Sequence, residues 1–74
     1  MDTEELEESL ILEFIESRPG FTAGQVVRVC THSYGMTRQE TANAVSRLLQ
    51  KQKIVSVDER GFAVLYIKGA EDGE

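Results

Sequence analysis

The chain has 74 residues, eight basic and 13 acidic side chains, one cysteine and a formal net charge of −5 at pH 7. That length holds one domain with a modest core. The lone Cys30 excludes an internal disulfide and a cysteine-rich zinc site, and no apolar run approaches membrane-spanning length. The acidic opening MDTEELEESL lacks the basic region of a signal peptide, so an intracellular, cytoplasmic location is expected.

The charge is unevenly spread. Residues 1–17 contribute −7 and residues 69–74 contribute −3, whereas 18–68 hold all eight bases against Glu40, Asp58 and Glu59, for +5. Fields between charges act locally, over a Debye length of ~8 Å at physiological salt. A basic middle between acidic ends therefore keeps an anionic partner in play despite the negative total.

Residues 3–17 read as a first helix, with Leu6, Leu10, Ile11, Phe14 and Ile15 forming a broad apolar stripe. Its glutamate-rich first turn suits the positive end of the helix dipole. Leu12 falls outside the stripe and suggests a second contact surface. Arg18-Pro19-Gly20 ends the helix, because proline disfavours helical conformation in the residue before it. Thr22 and Gln25 then have the spacing of a capping box, with Phe21 and Val26 as its hydrophobic staple. The second helix is expected from about Ala23 to Thr31, and His32-Ser33-Tyr34-Gly35 as the turn after it, with Gly35 left-handed.

Thr37 to Gln52 reads as a third helix. Thr37 and Glu40 repeat the capping box, and Met36 with the Thr41 methyl can form the staple. Thr41, Val45, Leu48 and Gln52 make the inner stripe, flanked by Ala44 and Leu49. The opposite side carries Gln39, Asn43, Ser46, Arg47 and Gln50. Amides pair bidentately with adenine and guanidinium with guanine, so such a face can read a major groove. After Gln52 the apolar period changes to 2. Ile54–Val57 and Phe62–Ile67 read as two strands joined by the turn Asp58-Glu59-Arg60-Gly61. The tail at 69–74 is polar, acidic and expected to be disordered.

Three helices followed by a hairpin, with Phe21-Thr22-Ala23 opening the second helix, Thr37-Arg38-Gln39-Glu40-Thr41 the third, and Ala44-Val45-Ser46-Arg47-Leu48 running to Ile54, resemble the winged helix-turn-helix superfamily of DNA-binding domains. The resemblance spans roughly residues 5–67 and implies an α+β fold, a winged helix in one domain. Leu48 and Ile54 match the family pattern; Gln52 departs from it, where many members have glycine. The resemblance implies that the third helix enters a major groove while the wing touches the backbone beside it. Arg38, Gln39 and Asn43 are then the candidates for base edges and Arg47 and Lys51 for phosphates. Arg60 at the wing tip would reach a phosphate or the minor groove, and Thr37 and Thr22 phosphates from helix N-termini.

The expected partner is double-stranded DNA, bound by a transcriptional or replication regulator. Dimerisation is expected through the first helix, where Leu12 adds apolar surface. No phosphate loop, nucleophile–base pairing or metal-ligand spacing stands out, so no enzyme activity, cofactor, metal, membrane contact or small-molecule ligand is expected. The competing reading is a winged helix that binds protein through its acidic first helix or mimics nucleic acid, which the low isoelectric point favours. In a third, the acidic ends compete with DNA for the basic middle.

Overall fold

A computed structural model describes residues 2–69. Of the tail expected at 69–74, only Gly69 falls among the described residues. The order is α1 (Thr3–Ser17), α2 (Ala23–Tyr34), α3 (Arg38–Gln50), β1 (Ile54–Glu59) and β2 (Phe62–Ile67). Three helices followed by a two-stranded antiparallel hairpin is the α+β layout of a winged helix.

Asp2 caps α1, its side chain accepting from the Glu4 amide. The buried face of α1 is rotated from the expected stripe. Glu8, Ile11, Phe14 and Ile15 are buried, whereas Leu10 is half-buried and Leu6 is 50% exposed. Residues 8, 11 and 15 have ordinary helical spacing, so the charged Glu8 shares the inner face with Ile11 and Ile15. Leu12, expected to offer a second contact surface, is half-buried and packs in part against the core.

Both capping boxes form. The Gln25 amide donates to Thr22 Oγ1 at 3.2 Å and the Thr22 amide to Gln25 Oε1 at 3.0 Å; the Thr37–Glu40 pair closes the same way at 3.0 and 2.9 Å. The second helix continues three residues beyond the expected end, through Tyr34, which packs against the core. Gly35 then closes it in the left-handed conformation at φ 68°. The α2–α3 junction is pinned by a polar contact the sequence reading did not foresee. The hydroxyl of buried Thr41 lies 3.1 Å from that of Thr31 on α2, and it donates to the Thr37 carbonyl at 2.9 Å. Thr41 therefore supplies more than its methyl.

The exit from α3 explains the departure at Gln52. The Gln52 amide donates to the Leu49 carbonyl at 3.1 Å and the Lys53 amide to the Leu48 carbonyl at 3.0 Å. This is the paired closure of a Schellman motif, which needs a left-handed residue. Gln52 supplies it at φ 60°, at a backbone cost of about 1 kcal/mol relative to glycine.

The hairpin is tighter than expected. Its register runs from Ile54 opposite Ile67 to Glu59 opposite Phe62, so Asp58 and Glu59 belong to β1 and the loop is Arg60-Gly61 alone. Both loop residues have positive φ, 56° and 85°, as a two-residue hairpin turn of the inward-twisting kind requires. Asp58 Oδ1 accepts the Gly61 amide at 3.0 Å. The segment before α2 also joins the sheet: Thr22 bridges Val64, and the Leu65 amide donates to the Phe21 carbonyl at 3.0 Å. β2 is thus flanked on both edges and β1 on one. The core lies where the three helices meet the inner hairpin face, around Ile11, Val26, Cys30, Ala44, Leu48, Ile54 and Leu65.

Candidate nucleic-acid interface

The third helix buries Thr41, Ala44, Val45 and Leu48. At 100° per residue this directs Gln39, Asn43, Ser46 and Gln50 outward, and all four are exposed. The face is neutral and ordered along the axis. Gln39 Nε2 donates to Asn43 Oδ1 at 2.9 Å, an i,i+4 amide pair. Thr37, the N-cap, is committed through its hydroxyl to the Glu40 amide, and the Glu40 carboxylate to the Thr37 amide.

The two flanks of α3 differ. On the flank toward α2, Arg38 stands beside Arg28 across a shallow cleft that Val29, Thr31, His32 and Ser33 complete. Arg28 and Arg38 are exposed, and among the described residues neither makes an ion pair. On the flank toward α1, Arg47 and Lys51 converge on Glu8. Arg47 Nε donates to Glu8 Oε2 at 2.6 Å, and Lys51 Nζ to Glu8 Oε1 at 2.8 Å. Arg47 also lies 3.5 Å from Glu7 and 3.9 Å from Glu4.

Each oxygen of the Glu8 carboxylate therefore has its own cationic donor. The Lys51 ammonium, and after it the Arg47 guanidinium, hold the Glu8 carboxyl below the ordinary carboxylate value against the opposing pull of burial. The same contact raises the Arg47 guanidinium further. Arg47 and Lys51, expected on phosphates, are thus engaged inside the molecule, where they tie α3 to α1. Their positions in a basic stretch gave no sign of this, because the deciding partner lies some forty residues earlier in the chain.

Arg60 is exposed at the tip of the hairpin, its backbone held left-handed. Glu59 beside it accepts the Tyr66 hydroxyl, which raises the tyrosine's pKa. Thr22 caps α2 and bridges β2, so its hydroxyl and backbone are both structural. The structure thus brings together Arg38, Gln39 and Asn43 on the N-terminal half of α3 and adds Arg28, which the sequence reading passed over. It sets Arg47 and Lys51 apart on the opposite flank.

Among the described residues there is no cluster of histidine, cysteine or acidic side chains able to hold a metal, and no helix long and apolar enough to cross a membrane. Comparison with protein-family models, curated proteins and solved structures finds no match.

Proposed function

We propose that this protein binds double-stranded DNA as a small transcriptional or replication regulator, through the N-terminal half of α3. The observation that carries this reading is the exposed Gln39–Asn43 amide pair, bordered by Arg28 and Arg38, which make no ion pair among the described residues. Amides at adjacent turns suit adenine edges in a major groove, and an exposed guanidinium suits guanine or the backbone beside it. In this arrangement Asn43, Gln39 and Arg38 reach base edges, Arg28 a phosphate, and Arg60 the neighbouring strand from the wing. Arg47 and Lys51 hold the reading helix in place against α1.

An NMR titration of the labelled protein with a random-sequence duplex tests this, first at low salt and then at about 0.2 M, where phosphate contacts weaken steeply. Shifts at Arg28, Arg38–Asn43 and the Arg60 loop that fade with salt are expected. On a preferred site, Asn43→Ala is expected to cost about 1–3 kcal/mol and relax specificity at one position.

A second reading has its own support. Glu4, Glu5, Glu13 and Glu16 are exposed on α1, which also carries the half-exposed Leu6. A spectrum indifferent to DNA would favour a protein-binding module that presents this acidic helix to a basic partner.

A further inference from the structure

We propose that β1 is a self-association edge: two copies join their β1 strands antiparallel about Ser56, merging two hairpins into one continuous sheet. The argument begins with backbone direction. In an antiparallel ladder, alternate residues turn their N–H and C=O groups toward the same neighbour. The Lys68 amide donates to the Lys53 carbonyl at 3.0 Å, so Lys53, Val55, Val57 and Glu59 direct their backbone toward β2. The same alternation turns Leu65 of β2 toward Phe21, where its amide is in fact bonded. Ile54, Ser56 and Asp58 must then direct theirs to the outer edge of β1. Among the described residues no strand lies on that side.

A bare edge of this length is a template for another strand. This one has no proline, its register is unbroken by a bulge, and its sequence is self-complementary. Antiparallel pairing about Ser56 sets Ser56 against Ser56 of the second copy and Ile54 against Asp58 of the second copy. These are the residues whose backbone groups point outward, so each such pair can exchange both of its hydrogen bonds. On the sheet face away from the core, the same register sets Val55 against Val57 and Lys53 against Glu59 of the second copy, each twice by symmetry. Opposite charges directly across a strand pair stabilise it, as do facing β-branched side chains. Sliding the register by two residues either way keeps the backbone parity but separates lysine from glutamate. Charge complementarity therefore selects both the partner, a second copy, and the alignment.

The outer face gains from the pairing. Val55, Val57 and Tyr66 are half-buried in the single copy. In the joined sheet Tyr66 and Val55 of one copy run directly into Val57 and Val64 of the other, an apolar band bordered by the Lys53–Glu59 pairs. The pairing is independent of the DNA reading, and it places the dimer seam on the wing rather than on α1.

Sedimentation velocity across a concentration series, without DNA, tests the proposal. A wild-type dimer is expected, with Ser56→Pro monomeric: proline removes an outward-pointing amide and leaves the ladder to β2 intact. Lys53→Glu and Glu59→Lys should each raise the dimer dissociation constant by about tenfold, since two attractive pairs become repulsive. The combined Lys53→Glu/Glu59→Lys chain should dimerise like wild type, and circular dichroism should show every variant folded. A wild-type chain that stays monomeric at millimolar concentration would overturn the proposal. So would a dimer that survives Ser56→Pro, or a combined variant that fails to recover.

Discussion

Arg38 and Arg47 sit on the same helix nine residues apart, half a turn from each other around its axis, and they have opposite fates. Arg47 is drawn into the carboxylates of α1 and completes the fold. Arg38 stands beside Arg28, and among the described residues neither makes an ion pair. The two flanks of α3 show that a basic stretch is not one surface. What a cation can offer a partner is set by which neighbour the packing gives it, and α1 delivers its acids to one flank only.

The largest way to break this comparison is to reverse the open flank. Arg28→Glu with Arg38→Glu is expected to weaken binding to duplex DNA by about 100-fold at low salt. The urea midpoint should stay close to wild type, because among the described residues neither side chain makes an ion pair that could be lost. Fluorescence anisotropy with a labelled duplex reads the first effect and chemical denaturation the second.

The closed flank should respond the other way. Glu8→Ala removes the acceptor shared by Arg47 and Lys51 and is expected to cost about 2 kcal/mol of stability, with DNA affinity unchanged or raised. The figure is held down because Lys51 is half in water and can resolvate. The contact also predicts a pH dependence. The folded Glu8 carboxyl titrates below its ordinary value of 4.5, so its contribution is fully present above that value and is lost as pH falls through the folded one. Acid titration of the urea midpoint should show this loss in wild type and lack that component in Glu8→Gln.

The smallest effect sharpens the comparison within the open face. Gln39→Ala loses one exposed i,i+4 amide bond and should lower stability by only ~0.2–0.5 kcal/mol, visible as a small fall in melting temperature. A larger loss would mean that the amide pair is part of the fold and not held ready for a partner.

Much of the architecture was legible because it is written in local chemistry. The two capping boxes, the left-handed Gly35 and the change of period after Gln52 each involve residues within a few positions of one another, and each formed. The exposed amide face of α3 followed from helical spacing in the same way. What the sequence hid depends on distant partners. Nothing in the acidic run of α1 distinguishes Glu8 from the glutamates around it, and only the packing of α1 on α3 shows it buried between two cations. The bridge at Phe21–Thr22 was hidden because its partners, Val64 and Leu65, lie far along the chain. The tight wing was misjudged for a subtler reason: Arg60 occupies a left-handed position that favours asparagine or glycine, so the residue type did not announce the turn.

Cys30 gives the domain an internal clock. Its thiol is fully enclosed, and burial pushes its pKa up to about 11, so the native state holds almost no thiolate and admits no reagent. Alkylation at neutral pH must wait for an opening that exposes the centre of the core. In a chain with no other thiol, the labelling rate therefore reports on the openings that reach Cys30, and it does so without an introduced probe.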